Sequence, residues 1–328
     1  MDGDDRELFE RSLRHAAQTC SGAELDRALI ELGWIEALEF DERLAVSAWF
    51  ETQGASATSS GALELVLMHA LGLHDIGSDT ALVLPQLGST SVPGQVVEGR
   101  LNVHGLVLGS PGADGHDRHS SYVVVWNTGS TTVAHLATSA AVTLRPISGI
   151  DPALGLLRVR GESMTPDDAP RLDTDPLEWG RAVAAAQVAL GYELVGASRT
   201  MLAQAVEHAL GRIQFGRPIS QFQAVRHRLA EVLIAIETAD AMLDAAWQDR
   251  TATSAAMAKS LSGRAARLAA RNCQQVLAGV GFTTEHPLHL TIRRVLVLDE
   301  LLGSARRLTR ELGDSLIESR ALPPLPLL

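Results

Sequence analysis

The stretch from His208 to Glu231, HALGRIQFGRPISQFQAVRHRLAE, decides how the second half of the chain folds. On either side of it, apolar residues recur every three or four positions, which is the spacing of one face of an α-helix. The spacing predicts one helix over about 177–210 and a second over about 218–247. Pro218 suits the first turn of the second helix, because proline has no N–H to leave unpaired there. The stretch is therefore the junction between two long helices.

Two further helices are predicted beyond this junction, over about 252–277 and about 288–319. At about 1.5 Å per residue the four helices are rods of roughly 40 to 50 Å, which pack most simply as an antiparallel bundle. A linker rich in proline and aspartate, Thr165 to Pro176, precedes them. The sequence therefore predicts a C-terminal four-helix bundle over residues 165–328.

The chain before the linker divides into two parts. Residues 1–75 show helical spacing and predict an N-terminal helical domain. Residues 76–164 instead contain short β-type segments separated by turn residues such as Pro93-Gly94. The predicted strands are 81–84, 96–103, 122–126, 132–136 and 156–159. We expect a mainly α protein with a small central, β-barrel-like domain.

Composition excludes several classes of function. A chain of 328 residues with 46% hydrophobic residues is globular, and its net charge of -11 argues against a nucleic-acid binder. It has no apolar run of the roughly 20 residues that a membrane span needs, and its charged N-terminus is unlike a signal peptide. We therefore expect a cytoplasmic protein. Cys20 and Cys273 are too far apart in sequence to suggest a disulfide framework or a metal site.

A second motif follows the third predicted bundle helix: CQQVLAGVGFTTEHPLHLTIRR, residues 273–294. With the first stretch, which contains R-x-x-F-G-x-P-I-x-x-F-Q from Arg212 to Gln223, it resembles the two C-terminal motifs of the acyl-CoA dehydrogenase family. The resemblance covers about 177–300 and is only architectural before that. It implies an FAD-dependent enzyme that acts on an acyl-CoA and passes electrons to an external acceptor.

Four residues of these motifs are candidate cofactor contacts. Arg212 is a planar donor fork suited to a pyrophosphate, Phe215 offers a flat apolar face, Gln275 an amide, and Gly279 an accessible backbone. The resemblance implies that they contact the adenosine diphosphate half of an FAD bound mainly by the neighbouring subunit. The alternative is that the arginine is a surface charge and the phenylalanine a core residue. Arg293 and Arg294 are predicted to be interface residues or neighbours of the nucleotide.

The family's catalytic carboxylate is absent from both of its usual places. Oxidation of an acyl-CoA needs a base that removes the α-proton. The resemblance places that base at Leu302, ahead of Gly303-Ser304, or near Ala186, and neither residue is acidic. Glu193 and Glu300 lie close in sequence and are the remaining candidates. Residues 82–91 and 103–112 also lack the family's flavin-ring pattern.

A chain with these features resembles the short subunits of actinobacterial heterotetrameric acyl-CoA dehydrogenases of steroid side-chain oxidation. The expectation is a subunit whose partner, a second acyl-CoA dehydrogenase chain, carries the catalytic glutamate. One alternative is a self-sufficient homotetramer that uses Glu193 or Glu300. Another is a scaffold that has lost flavin. The single lysine, Lys259, among 28 basic residues fits a GC-rich genome.

Overall fold

The first part of the chain is helical, as predicted. The computed structural model describes residues 3–73, 79–108, 119–128, 131–165, 169–172 and 178–320. Trp34 and Trp49 are fully buried in the core of the N-terminal helices. The indole N–H of Trp34 donates to the Ala45 carbonyl at 3.0 Å. These helices are α1 Gly3–Thr19, α2 Ala23–Glu31, α3 Trp34–Phe40, α4 Glu42–Ser56 and α5 Ala62–Ala70.

A seven-stranded mixed sheet follows, with β4 pairing β1, β2 and β5, and the order continuing from β2 through β3 and β7 to β6. The predicted strand 96–103 is wrong, because this segment is a hairpin. Glu98 and Gly99 have φ of +52° and +79°, which forms a two-residue turn between antiparallel strands. The strands are β1 Thr80–Leu82, β2 Gly94–Val97, β3 Arg100–Leu108, β4 Ser121–Asn127, β5 Thr132–Thr138, β6 Thr143–Pro146 and β7 Leu156–Met164.

The bundle begins with three long helices, α6 Trp179–Gly211, α7 Gln223–Asp249 and α8 Ala252–Leu277. Between α6 and α7 lies a small hairpin of β8 Ile213–Gln214 and β9 Arg217–Pro218. The prediction that Pro218 opens α7 is therefore wrong. The chain completes the hairpin and one 3-10 turn before the helix starts at Gln223.

The last predicted helix is broken into α9 Leu288–Glu300 and α10 Ala305–Ser319. At the break, Leu302 and Gly303 have φ of +53° and +96°, which ends the α-helical hydrogen bonding. The Ser304 hydroxyl then caps α10 by accepting from the Arg307 N–H at 3.4 Å. The break puts Leu302 on a turn rather than on a helix face.

Lys259 holds this turn in place. Its ammonium group is fully buried and donates to the carbonyls of Leu298 at 3.2 Å and Asp299 at 3.0 Å. These carbonyls belong to the last turn of α9, where a cation also interacts favourably with the helix dipole. Burial lowers the pKa of Lys259 to about 8. The only lysine of the chain is thus a structural part of the α9–α10 break.

Arg294 joins all three parts of the chain. Its side chain is buried on α9, forms an ion pair with Asp151 before β7, and donates to the Thr58 carbonyl after α4. The prediction that Arg294 lies at a subunit interface or beside the nucleotide is therefore wrong. Its neighbour Arg293, by contrast, is exposed.

Helix α4 touches α6 through backbone. A Cβ on Gly54 would lie 2.0 Å from the Glu193 carbonyl oxygen, and one on Gly196 would lie 2.2 Å from that of Glu51. Glycine at these positions allows the two helices to approach closely. The contact brings Gln53 of α4 next to the buried Glu193 side chain of α6. Among the residues described above, no helix has an apolar stretch long enough to cross a membrane.

Candidate functional site

The β8–β9 hairpin projects an aromatic side chain away from the protein. Phe215 and Gly216 form its tip, with φ of +54° and +78°, while Ile213 pairs with Pro218 at its base. Phe215 is 92% exposed, and its ring meets that of Phe222 edge-on at 6.1 Å. The alternative of a core phenylalanine is therefore excluded. A fully presented aromatic ring on an ordered turn is typical of a contact with another molecule.

Arg212 sits at the base of the same hairpin with its backbone fixed and its side chain available. Its N–H donates to the His208 carbonyl at 2.9 Å, and its own carbonyl accepts from Ile219 at 2.9 Å. The side chain is exposed and makes no hydrogen bond or ion pair to another described residue. Burial, Arg212 and His286 together lower the pKa of His208. The guanidinium is thus positioned to receive an anion.

The second motif forms the end of α8 and the 3-10 turn Ala278–Phe282. Gln275 and Gly279 are both exposed, and nothing lies within 4 Å of where a Gly279 Cβ would be. Gly281 differs, because its Cβ would meet the Leu277 Cβ at 2.9 Å. Gly281 is therefore a packing residue, whereas Gly279 leaves backbone open to a ligand.

The two motifs lie at the same end of the bundle. Midway along α6, the position of Gly191 packs against Leu243 of α7 and Ser262 of α8. α7 returns between α6 and α8, so those two helices run in the same direction. Each continues for roughly four to six turns past this contact and ends at Gly211 or Leu277. Residues predicted from distant parts of the sequence thus share one end of the protein.

An exposed apolar surface surrounds these residues. Phe282 is 70% exposed, and several other large apolar side chains from α6, the hairpin and the second motif are also exposed. Several exposed large apolar side chains at one end of a protein are typical of protein–protein contacts. The exposed side chains are Val206, Leu210, Ile213, Phe215 and Phe282.

The two positions at which the family resemblance places a base come close together in the structure. Gln187, the residue after Ala186, donates its side-chain N–H to the Leu302 carbonyl at 2.9 Å. Ala186 and Leu302 are 0% and 2% exposed. The sequence treated these positions as alternatives, but the fold brings them to one point between α6 and the α9–α10 break.

Glu193 is a buried carboxyl with an altered acidity. It is 1% exposed, and burial raises its pKa to about 7 against the opposing effects of Arg294 and a hydrogen bond from Gln53. Its Oε1 accepts no hydrogen bond from the described residues. Glu193 lies two helical turns, roughly 10 Å, from Ala186 on the same side of α6. It faces α4 and the Arg294–Asp151 pair.

Glu300 is committed to other contacts. Its carboxylate pairs with Arg267 at 3.2 Å, and its backbone carbonyl accepts from the Gly88 N–H at 2.7 Å. These contacts tie the end of α9 to α8 and to the segment after β1. Of the two stretches predicted to lack a flavin-ring pattern, 82–91 runs from β1 into this segment. Residues 109–112 of the other stretch lie outside the described residues.

Sequence reasoning missed two residues that shape this region. Gln187 is a lone amide in an apolar part of α6, and Asp299 is a buried carboxylate that accepts from Arg267 at 2.5 Å and from the Ala305 N–H at 3.0 Å. The signal for Gln187 was its polarity within the run AVAAAQVALG. Nothing local marked Asp299, because its partners are distant in the chain or lie beyond a break.

Comparison with known proteins gives a consistent family assignment. The family model for the acyl-CoA dehydrogenase C-terminal domain matches residues 174–317. Acyl-CoA dehydrogenase IpdE2 of Mycobacterium tuberculosis is 32% identical over 279 residues, which cover 79% of this chain and 84% of the relative. Acyl-CoA dehydrogenase FadE34 of the same organism is 40% identical over 42% of this chain and 22% of its own length.

Two solved structures show the same fold. The Tcur3481-Tcur3483 steroid ACAD G363A variant superposes with a TM-score of 0.76 at 18% identity, covering 98% of this chain and 99% of that chain. The ChsE4-ChsE5 complex from Mycobacterium tuberculosis superposes with a TM-score of 0.75 at 20% identity over the same shares. Together with the motifs at the ends of α6 and α8, these matches show that the chain belongs to the acyl-CoA dehydrogenase family.

Proposed function

We propose that this chain is a subunit of an FAD-dependent acyl-CoA dehydrogenase that contributes to a flavin site of its partner and has no catalytic carboxylate of its own. The observation that carries the proposal is the hydrogen bond of 2.9 Å from the Gln187 side chain to the Leu302 carbonyl, which brings the residue after Ala186 to Leu302. Neither Ala186 nor Leu302 is acidic. The base that the reaction needs would therefore come from another chain.

The reaction is the α,β-dehydrogenation of an acyl-CoA to its 2-enoyl-CoA. A carboxylate removes the α-proton, and FAD when bound accepts hydride from the β-carbon. In our proposal the carboxylate belongs to the partner subunit. This chain's residues bind and orient the far end of the cofactor.

The exposed end of the bundle fits the adenosine diphosphate half of FAD. Arg212 offers a guanidinium with no partner in the described chain, which suits a pyrophosphate. Phe215 offers an exposed ring face, Gln275 an exposed amide, and Gly279 an unobstructed backbone. All four lie on the apolar surface described above, so we propose that they act across a subunit interface.

The relatives support a more specific proposal about partner and substrate. The structural neighbours include the ChsE4-ChsE5 complex and a steroid ACAD variant, Tcur3481-Tcur3483. We propose that the partner is a second acyl-CoA dehydrogenase subunit carrying the catalytic glutamate. The substrate would be an acyl-CoA, with a steroid side chain as the acyl group, and electrons would pass to an external acceptor.

One observation favours the alternative of a self-sufficient enzyme. Glu193 has its pKa raised to about 7, which is the range suited to a general base at neutral pH. A base must also reach the substrate, and Glu193 is 1% exposed and packed against α4. Glu300 has no comparable feature, since it is paired with Arg267. Geometry therefore favours the partner-dependent subunit.

Flavin retention by the co-expressed complex tests the binding role. Replacing Arg212 with alanine removes a charge-assisted bond to a phosphate, worth about 1.5 to 3 kcal/mol. We expect FAD to dissociate at least tenfold more readily from Arg212→Ala than from the parent complex. The matched control is Arg310→Ala, which changes an exposed arginine on α10. This variant should retain flavin. Equal flavin content in both variants would favour the scaffold alternative.

A further inference from the structure

A cavity of about 300 Å³ lies at the opposite end of α6 from Arg212. It is open on one side and is lined by the first turns of α6, the ends of α5 and α7, and the starts of α4 and α8. Because α6 contains 33 residues, the two ends are separated by roughly 50 Å. The cavity is thus separate from the proposed adenosine site.

Small aliphatic side chains form the walls of this cavity. Ala184, Ala185 and Val188 project from one face of α6, at the three- and four-residue spacing of neighbours on a helix. Ala246 of α7, Ala255 of α8, Ala70 of α5 and the larger Trp247 of α7 add to the apolar lining. Short methyl side chains at a junction of several helix ends leave space that larger residues would fill. The interior therefore suits a short hydrocarbon.

Two arginines form the polar rim. Arg250, at the C-terminus of α7, donates to the Glu42 carboxylate at 3.1 Å, and its guanidinium carbon lies 5.2 Å from the centre of the Trp247 ring. Arg181 donates to the Ala70 carbonyl at 2.9 Å. These contacts use few of the five N–H donors that each guanidinium group carries. Donors remain for a ligand at the mouth.

Spare arginine donors and a helix end at the rim favour an anion. Arg250 pairs with Glu42 at 3.1 Å and Arg181 with Glu178 at 3.7 Å, so the formal charges of these four side chains balance. The N-terminus of the 26-residue helix α8, capped by Thr251, also lies at this rim and contributes its positive dipole end. A planar carboxylate matches the geometry of an arginine fork. The arginine donors therefore complement a carboxylate in shape, and the positive end of the α8 dipole complements its charge.

We propose that this cavity binds a small amphipathic monocarboxylate. Its carboxylate lies between Arg181 and Arg250, and its hydrocarbon chain lies against the alanine-lined wall. A volume of about 300 Å³ is at the lower end of ligand sites. At about 30 Å³ for each water-sized group, it holds on the order of ten non-hydrogen atoms. Octanoate has that size. The site does not depend on the proposed role in flavin binding.

Titration calorimetry of octanoate into the purified full chain tests the proposal. Arg250→Gln and Arg181→Gln should each raise the Kd about tenfold, because each removes one charge-assisted contact. Arg6→Gln is the matched control: Arg6 is exposed to a similar degree, pairs with Glu10 at 2.9 Å, and lies on α1 away from the cavity. It should leave the Kd unchanged.

Two further arms separate the hydrocarbon from the charge. Ala185→Leu projects into the cavity and should abolish octanoate binding, while 1-octanol and acetate should each bind at least tenfold more weakly than octanoate. The arginine variants change exposed side chains, so they decide the matter even if Ala185→Leu fails to fold. The proposal is overturned if octanoate does not bind, or if its Kd is the same in the parent chain and in both arginine variants.

Discussion

The Gln187 side chain donates to the backbone carbonyl of Leu302 at 2.9 Å, and both residues are buried. This bond connects the N-terminal half of α6 to the break between α9 and α10. It also brings together the two positions where relatives of this chain are expected to carry a base. The bond satisfies a buried carbonyl, so Gln187 has a structural role in this chain.

Replacing Gln187 with leucine should destabilise the protein by about 1 to 3 kcal/mol, because the Leu302 carbonyl would be buried without a donor. Urea denaturation of the purified chain measures this difference. The matched control is Gln248→Leu, at an exposed position in the last turn of α7, which should change stability by less than about 0.5 kcal/mol. Equal effects of the two changes would contradict a structural role for Gln187.

The contacts of Arg294 predict that its replacement lowers the stability of the protein much more than replacement of the adjacent Arg293. Arg294→Met leaves the Asp151 carboxylate buried without its partner, which typically costs about 3 to 5 kcal/mol. Arg293→Met changes the adjacent, exposed arginine and should cost less than about 0.5 kcal/mol. Thermal or urea unfolding of the two variants compares them. Similar stabilities would refute the assignment of Arg294 as the contact that joins the three parts.

The raised pKa of Glu193 predicts that the stability of the protein depends on pH. The pKa of Glu193 is about 7 in the folded state, above its ordinary value of 4.5. Between pH 4.5 and pH 7 the carboxyl group is therefore protonated in the folded state and ionised in the unfolded state. The contribution of Glu193 is therefore fully present below about pH 4.5 and is lost as pH rises through 7. At about 1.4 kcal/mol per pKa unit, the loss is roughly 3 kcal/mol.

The comparison of wild type with Glu193→Gln isolates this effect, because glutamine does not titrate. The difference in unfolding free energy between the two proteins should shift by roughly 3 kcal/mol between pH 5 and pH 8, with wild type losing stability relative to the variant. Urea denaturation at several pH values gives the difference. A pH-independent difference would show that Glu193 is not a buried neutral acid.

Much of the fold follows from local patterns in the sequence. Helix α8 was predicted over 252–277 and has those bounds, because a continuous amphipathic pattern ends at turn residues on both sides. The breaks were missed where tertiary contacts decide the outcome. The α9–α10 break depends on Lys259, which lies about forty residues earlier in the chain. The β2–β3 hairpin was missed although its Glu98-Gly99 turn is local.

The sequence motifs predict the exposed residues of the candidate site, but they do not predict which side chains are buried. Exposure of Arg212, Phe215, Gln275 and Gly279 at one end of the bundle agrees with the motif-based prediction, and their contact with FAD stays a prediction. The prediction for Arg294 is wrong because the sequence alone does not distinguish it from its exposed neighbour Arg293. The partners of Arg294, Asp151 and Thr58, are over a hundred residues away.

The most direct test of the account is a comparison of the chain purified alone with the chain purified together with its partner dehydrogenase subunit. Flavin absorbance and acyl-CoA oxidation are measured on both samples. The account predicts that the chain alone is inactive, and that the complex contains FAD, oxidises acyl-CoA, and loses flavin on Arg212→Ala. A chain that is yellow and active by itself would contradict it.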